Sequence, residues 1–295
     1  MNDIKRVAVT GGTHGNELTG VYLINKFKKD PKLLKRDSFE TIFFHTNKKA
    51  IKECVRYIDK DLNRTFNIKD LKDEDKYLYE DILAKDIDRK LGPKGSQDSA
   101  VDFIVDLHST TSNMGLSIVI DNDSSLTWRA AAYAKWKNPE VNIFRWKGDT
   151  KDASFVNSIS KDGFAIEVGA VPQGVLRADI FFKTEQLIYD ILDFLDKHNK
   201  QEVEDMPDSL EIYDHIELLD FPRDENEDII AMVHPTLQDN DYTLIKKGDP
   251  LFITLEGEEI CYDKDDDVWP LFINEAAYYE KGFAMCLTKK RIIKI

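Results

Sequence analysis

The sequence of 295 residues is poor in cysteine, in basic residues relative to acidic ones, and in long apolar runs. Its three cysteines are far apart and form no C-x-x-C pair, which argues against a disulfide framework and a zinc knuckle. Because 41 Lys and Arg residues face 55 Asp and Glu residues, the formal net charge is −14, and we expect neither a nucleic-acid nor a membrane partner. The N-terminus carries no apolar segment of the signal-peptide type, so we expect a cytoplasmic protein.

The composition is that of a globular protein, with 42% apolar and 33% charged residues. In the first two thirds of the chain, short apolar runs alternate with segments of helical periodicity, which predicts an α/β sheet flanked by helices on both faces. The predicted strands are residues 6–10, 39–46, 102–108, 116–120 and 164–168, and the predicted helices are residues 16–29, 70–91, 125–137 and 179–198.

The pattern changes after the last of these helices. Residues 199–209 are polar and acidic, as in a linker, and the remaining chain holds short candidate strands between turns rich in Pro, Gly and Asp. We therefore predict two domains, an α/β domain at residues 1–203 and a smaller all-β domain at residues 204–295. The acidic run DKDDD at residues 263–267 is either a solvated turn or a cation site, and the turn is the simpler interpretation.

The strongest local signal is the segment GGTHGNE at residues 11–17. His14 and Glu17 follow the first predicted strand, three positions apart, and in an α/β sheet the carboxyl ends of the strands border the ligand crevice. The neighbouring glycines permit a sharp turn that aims an imidazole and a carboxylate at one metal ion. The alternative is an ordinary helix N-terminus capped by Thr13 or Asn16.

A catalytic zinc ion usually takes three protein ligands and keeps one position open. Among the other histidines, His108 is the best third ligand, because it ends the predicted strand DFIVDLH. Asp106 lies on the same face of that strand, where it can support the imidazole. His45 fits a packed position in the strand TIFFHT, and His215 is expected in the β domain, away from the first sheet.

Two further segments carry charged residues in unusual settings. Residues 56–66, RYIDKDLNRTF, hold two arginines beside an asparagine, a set suited to a carboxylate, although a surface loop with ion pairs is the simpler interpretation. Glu167 lies in the apolar strand FAIEV, where a carboxylate is either functional or on an exposed sheet face. If Glu167 reaches the metal crevice, it is the natural general base.

Six blocks of the sequence resemble one known family. These blocks are GGTHGNELTGVYL (11–23), CVRYIDKDLNRTF (54–66), DLHSTTSNMG (106–115), EVGAVPQGVLRADI (167–180), HPTLQD (234–239) and FINEAAYYEKG (272–282). In content and order they are similar to the aspartoacylase and aminoacylase III family of the zinc carboxypeptidase-like superfamily, which includes succinylglutamate desuccinylase. The resemblance implies a zinc carboxypeptidase-like mixed sheet flanked by helices, plus a smaller C-terminal β domain.

The resemblance also implies a metal site. His14, Glu17 and His108 would bind one zinc ion per subunit, and Asp61 would orient His14 from behind. The family further implies a homodimer whose substrate is a small molecule.

The substrate implied by the resemblance is an N-acyl amino acid, which a zinc-dependent amidohydrolase cleaves to a carboxylate and a free amino acid. N-acetyl-L-aspartate is the first expectation. Asn63, Arg64 and Tyr278 would bind the substrate, chiefly through its α-carboxylate, and Arg56 would polarise the scissile carbonyl. Glu167 would be the general base.

One position departs from the family pattern. Aspartoacylase has an arginine about ten residues before the catalytic glutamate, and it holds the side-chain carboxylate of the substrate. Here that position is Asn157, which cannot supply a bidentate positive charge. We therefore expect a weakened preference for aspartate unless Arg145, Lys147 or Lys151 reaches the pocket. Aminoacylase III also lacks that arginine and acts on acylated aromatic and other neutral amino acids, which gives the alternative substrate class.

Two other functions fit part of the pattern. A carboxypeptidase-type peptidase would also use a carboxylate clamp, but a C-terminal domain that contributes Tyr278 narrows access for a long peptide. A non-catalytic metal-binding or ligand-binding protein would be expected to have lost a ligand or the base, and here each of these residues is present.

Overall fold

The computed structural model describes residues 3–96, 98–147 and 152–295. Its strands are β1 (Arg6–Gly11), β2 (Glu40–His45), β3 (Phe103–Ser109), β4 (Gly115–Ile120), β5 (Val141–Arg145), β6 (Asp162–Gly169), β7 (Ser209–Leu219), β8 (Ala231–Val233), β9 (Pro250–Thr254), β10 (Glu259–Cys261), β11 (Trp269–Leu271) and β12 (Met285–Lys294). Nine of them form one mixed sheet in the order β11-β12-β7-β5-β4-β6-β3-β1-β2, and the other three form a small sheet in the order β10-β9-β8.

Helices cover both faces of the large sheet. They are α1 (Leu18–Lys29), α2 (Lys48–Glu53), α3 (Ile68–Lys72), α4 (Tyr79–Leu91), α5 (Ser125–Lys137) and α6 (Ala178–Lys200), with short 3₁₀ helices at Pro31–Leu34, Leu62–Arg64, Val156–Ile159 and Ala276–Lys281. The apolar sides of α1, α5 and α6 share one core, and α4 packs in a second core on the opposite face. The predicted α/β sheet with helices on both faces is confirmed.

Which side chains of the central strands can reach the site depends on the face of the sheet to which they point. On β3, Phe103, Val105 and Leu107 point into the core beneath α1 and α6, whereas Ile104 points toward the core beneath α4. Because successive side chains in a strand point to opposite faces, Asp106 and His108 share the face of Ile104. Asp106 and His108 therefore lie together on one side of β3, a strand whose residues are all buried.

The helix predicted at residues 70–91 is interrupted. The structure has α3 and α4 instead, separated by residues 73–78. In this gap the Asp73 carboxylate accepts a hydrogen bond from the backbone amide of Asp75 at 3.0 Å, and Lys85 binds the carbonyl oxygen of Lys76 at 2.8 Å. Asp81 then accepts from the Leu78 amide at 3.2 Å and begins the second helix. Short acidic side chains that bind the backbone locally end a helix that periodicity alone would continue.

The C-terminal segment does not stand apart from the large sheet. β7 pairs in parallel with β5, and β12 pairs with β7 over almost its whole length. His215 therefore lies in the large sheet, with its ring centroid 4.4 Å from that of Trp146, and the expectation that it lies away from the first sheet is wrong. The residues of β8, β9 and their surroundings form a separate apolar cluster. The division at residues 203 and 204 stays a prediction.

Three smaller expectations concern the cysteines, the DKDDD run and membrane-spanning helices. The cysteines at positions 54, 261 and 286 are unpaired. In the DKDDD run, Asp265 and Asp266 are largely exposed and pair with Lys247 and Lys289. Among the described residues, none of the helices combines the length and the apolar character that crossing a membrane requires.

Candidate active site

Three potential metal ligands converge beside the carboxyl ends of β1 and β3. The ligand atoms of His14, Glu17 and His108 all lie within 4.8 Å of one another, and all three residues are buried. His14 Nδ1 is 2.6 Å from one carboxylate oxygen of Glu17, and His108 Nδ1 is 3.0 Å from the other. The two imidazole nitrogens lie 3.3 Å apart. The residues chosen from the sequence as zinc ligands therefore come together in one small cluster.

A sharp turn after β1 makes this convergence possible. Gly12 has a φ of +74°, a conformation that favours glycine. A Cβ at Gly15 would lie 2.0 Å from the carbonyl carbon of Ala50, so only glycine permits this close approach to α2. Glu17 immediately precedes α1, and Asn16 caps nothing through its side chain but binds Gln173 at 3.0 Å. The turn therefore serves to present His14 and Glu17, as the glycine pattern predicts.

Each imidazole is held from behind by a buried aspartate. His14 Nε2 lies 2.9 Å from Asp61, and His108 Nε2 lies 2.7 Å from Asp106. Because Nε2 of each ring can donate its hydrogen to an aspartate, Nδ1 is the nitrogen that is available to bind a metal ion. Thr10 donates a hydrogen bond to the second oxygen of Asp106 at 2.7 Å, which fixes that carboxylate in turn.

Replacing Asp106 with asparagine should weaken zinc binding by about 10- to 100-fold, because the ring of His108 would lose its charged support. Competition titration against a chelating dye measures this change. Asp123→Asn, at an exposed aspartate outside the cluster, is the matched control and should leave the affinity unchanged. Equal affinity in the Asp106 variant and the wild type would contradict the supporting role.

The donor set fits a zinc ion. Two imidazole nitrogens and one carboxylate form a ligand set that catalytic zinc sites use. Burial opposes ionisation of Glu17, yet the imidazoles of His14 and His108 hold its pKa well below the usual range. Burial also disfavours a charged His108, but Asp106 and Glu17 raise the pKa of His108 well above its usual value. An anionic carboxylate between imidazoles held by aspartates is a strong cation site.

Arg56 lies over the same cluster. Its guanidinium donates to Glu17 at 3.1 Å and to Asp61 at 3.4 Å. Its Nε is buried and has no hydrogen-bond partner within the part of the chain that the structure describes. Segment 56–66 is thus not merely a surface loop with ion pairs, because one of its arginines faces the metal cluster and keeps a donor free.

Glu167 lies on the neighbouring strand. β3 and β6 are parallel, and His108 is the register partner of Glu167. Glu167 lines a cavity of about 200 Å³ together with His14 and Arg56, so it is not on an exposed sheet face. Burial raises the pKa of Glu167 to about 8, and the carboxylate of Glu17 adds to this effect while His108 opposes it.

The proposed carboxylate clamp lies at one side of this cavity. Arg64 lines the cavity, donates to the carbonyl oxygen of Asn63 at 2.8 Å, and stacks over Phe155 at 5.1 Å. The side chain of Asn63 also lines it, but its oxygen already accepts from the amide of Val156 at 2.9 Å. Tyr278, from the 3₁₀ helix Ala276–Lys281, completes this side.

Lys281 is a cavity residue that sequence reasoning missed. Its ammonium group lies 2.5 Å from Asp61, and its side chain lines the cavity with Arg64. Burial lowers the pKa of Lys281. The sequence did contain a clue to this residue, because Lys281 lies in the same matching block as Tyr278, FINEAAYYEKG, three positions after it.

The cavity also has aromatic walls, which include the side chains of Phe144, Trp146, Phe155, Phe272 and Phe283. Asn157 lines the cavity, is 3% exposed, and donates to Asp121 at 2.8 Å. Arg145 and Lys147 both pair with Asp214 instead, at 2.6 and 2.7 Å. Lys151, the third candidate to replace the missing arginine, lies outside the described residues.

Two imidazoles and a carboxylate at the ends of sheet strands, beside a free carboxylate in a cavity, are the arrangement of a metal-dependent hydrolase. Comparison with known proteins identifies the family to which the chain belongs. Residues 3–195 match the model of the succinylglutamate desuccinylase/aspartoacylase catalytic domain, and residues 208–290 match the AstE/AspA barrel-sandwich hybrid domain. The chain belongs to the succinylglutamate desuccinylase/aspartoacylase family, and the family resemblance seen in the sequence is confirmed.

Individual relatives agree with this membership. A probable aspartoacylase of Nostoc sp. is 47% identical over 99% of both chains. The human N-acyl-aromatic-L-amino acid amidohydrolase (carboxylate-forming) is 39% identical, covering 97% of this chain and 91% of its own. The crystal structure of murine aminoacylase 3 superposes with a TM-score of 0.94 at 38% identity, covering 100% of this chain and 98% of that one. The expected fold class and the expected hydrolase of linear amides are both confirmed.

Proposed function

We propose that this protein is a zinc-dependent amidohydrolase that removes the acyl group from N-acyl amino acids. The leading substrate is N-acetyl-L-aspartate, which would give acetate and L-aspartate. The observation that carries the proposal is the buried cluster of His14, Glu17 and His108, with Glu167 in the wall of the adjoining cavity. The names of the relatives, aspartoacylase and N-acyl-aromatic-L-amino acid amidohydrolase, support the same reaction.

His14, Glu17 and His108 would hold one zinc ion per subunit. When bound, zinc supplies a Lewis acid that polarises the amide carbonyl and lowers the pKa of water. Glu167 removes a proton from the attacking water and later delivers it to the leaving amine. Its raised pKa of about 8 suits the return of that proton, although a bound cation would lower the value. Arg56 stabilises the negative charge that develops on the carbonyl oxygen.

The positive side chains of the cavity bind the α-carboxylate of the substrate. Arg64 offers a planar fork of donors suited to a carboxylate, and Lys281 adds a second positive charge to the cavity wall. Tyr278 adds a hydroxyl group whose pKa is raised by burial, so it remains a donor. Asn63 contributes chiefly by positioning, since its side-chain oxygen is already bonded to Val156.

An N-acyl aromatic amino acid is the second candidate substrate. The aromatic walls of the cavity favour it, and Asn157 supplies no charge for an aspartate side chain. A peptidase that acts on long chains is less well supported, because the short helix carrying Tyr278 and Lys281 closes one side of the cavity.

The test is a substrate panel on the zinc-loaded protein. We expect hydrolysis of N-acetyl-L-aspartate or N-acetyl-L-tyrosine, and a loss of at least about tenfold in kcat/KM for the matching α-amides, which lack the anchoring carboxylate. Release of the C-terminal residue from a tetrapeptide would favour the peptidase instead. No hydrolysis of any N-acyl amino acid would reject the proposed function.

We further propose a cytoplasmic location, which the unpaired cysteines support. The homodimer and the small-molecule partner expected from the family resemblance stay predictions, as does the absence of nucleic-acid and membrane partners.

A further inference from the structure

A buried carboxylate lies at the far end of the active-site cavity and plays no part in the proposed mechanism. Asp121 directly follows β4, is 3% exposed and lines the cavity. One of its oxygens accepts a hydrogen bond from Asn157 at 2.8 Å. The other oxygen is buried and has no hydrogen-bond partner among residues 3–96, 98–147 and 152–295. A buried oxygen without a partner is costly, so a ligand that donates to it gains free energy.

Lys94, the cation that acts on Asp121, does not bind this oxygen. Lys94 is close enough to favour the charged form of Asp121, but its ammonium group binds the carbonyl oxygen of Phe66 at 2.8 Å and the hydroxyl of Ser158 at 2.9 Å. Burial raises the pKa of Asp121 to about 6, so in a mildly alkaline assay this carboxylate is ionised and acts as an acceptor.

Asp121 lies some distance along β4 from the catalytic residues. Ser117 is the register partner of Glu167 in the antiparallel pair of β4 and β6. Asp121 lies four residues farther along the chain, which corresponds to about 13 Å at the usual rise of a strand. The end of a short side chain such as that of aspartate, anchored beside Glu167, therefore stays farther from Asp121 than the end of a long side chain such as that of tyrosine.

The walls between these two points favour a flat ring. Phe144 and Trp146 line the cavity and pack edge to face at 6.2 Å, and Phe144 is the register partner of Val119, two residues before Asp121. Such walls bind apolar and aromatic groups but offer few polar contacts. The charged acceptor at the end is therefore the group that can distinguish one long side chain from another.

We propose that Asp121, held in place by Asn157, is a specificity-determining residue that binds a hydrogen-bond donor at the end of a long substrate side chain. The proposal rests on the proposed deacylase function and, within it, favours the second candidate class over N-acetyl-L-aspartate, with an N-acyl tyrosine as the best fit. A phenol donates to the free oxygen of Asp121, and an unsubstituted ring leaves that oxygen buried and unpaired.

N-acetyl-L-tyrosine and N-acetyl-L-phenylalanine provide a matched pair, since they differ by one hydroxyl group. With the zinc-loaded protein, kcat/KM should favour the tyrosine substrate by about tenfold or more. Asp121→Leu, which has a similar branched shape but no acceptor, should bring this ratio to one or below. Asp121→Asn should give an intermediate ratio, because it keeps an acceptor but loses the charge. Asp123→Asn, two positions away and exposed, should keep the wild-type ratio.

The ratio compares two substrates in one preparation, so partial misfolding of a variant does not alter it. A wild-type ratio near one, or a ratio that is unchanged in Asp121→Leu, would overturn the role of Asp121. Hydrolysis of N-acetyl-L-aspartate with neither aromatic substrate would also overturn it while leaving the deacylase function intact. Failure on all three substrates would reject the proposed function itself.

Discussion

Replacing Glu167 with glutamine should lower kcat by about a thousandfold, within the usual range for the loss of a general acid–base group. Glutamine has nearly the same shape, so the cavity wall and the pairing of β6 with β3 should be preserved. What is lost is the ability to take a proton from water and to return it to the leaving amine. Steady-state kinetics on the best N-acyl substrate measures kcat, and metal analysis of the same sample checks the zinc content.

The zinc content of the variant shows whether kcat falls because the base is missing or because the metal site has been lost. Because Glu167 is not one of the three clustered ligands, the variant should still bind one zinc ion per chain. Glu140→Gln, at an exposed glutamate far from the cavity, is the matched control and should keep the wild-type kcat. If the Glu167 variant kept more than about a tenth of the wild-type kcat, another group would have to act as the base.

Replacing His108 with alanine should remove both the zinc and the activity. His108 would supply one of three ligands, and it also connects Asp106 to Glu17 through its two ring nitrogens. Without it, two neighbouring acids remain in a buried site with too few ligands to hold a cation. We expect little zinc after dialysis and a fall in kcat/KM of at least about a thousandfold, since several kcal/mol of transition-state stabilisation are lost.

His45 offers a matched control for this variant. It is a half-buried histidine at the end of β2, and its ring binds the carbonyl oxygen of Val21 at 3.0 Å, outside the cluster. His45→Ala should retain zinc and activity, although some stability is lost. A His108→Ala protein that kept a full equivalent of zinc would contradict the assignment of His108 as a ligand.

Sequence reasoning predicted the part of the fold that depends on local pattern. The alternation of apolar strands and amphipathic helices up to residue 200 corresponds to β1 to β6 and α1 to α6, apart from β5 and the short α2. The pairing of β7 with β5 depends on residues about seventy positions apart in sequence, and no local pattern encodes such contacts. The break between α3 and α4 depends on aspartates that bind the backbone, which apolar periodicity does not register.

Some residues of the candidate site could likewise be predicted from local sequence, whereas others could not. His14 and Glu17 form a local motif after a strand, so residue chemistry alone could suggest them. The pairing of His108 with Glu167 needed the order of strands in the sheet, and the roles of Arg56 and Tyr278 came from the family resemblance. Asp121 was missed because its meaning depends on what surrounds it. In sequence it is one aspartate after a strand, and only the fold reveals its unpaired oxygen in the cavity.

The central claim is that hydrolysis depends on one zinc ion held by His14, Glu17 and His108. The most direct measurement is the hydrolytic rate of chelator-treated protein as zinc is added back in known amounts. We expect almost no activity without metal, a linear rise, and a plateau at one equivalent of zinc per chain, with no recovery in the His108→Ala variant. Full activity in metal-free protein, or a rise that continues well beyond one equivalent, would contradict the claim.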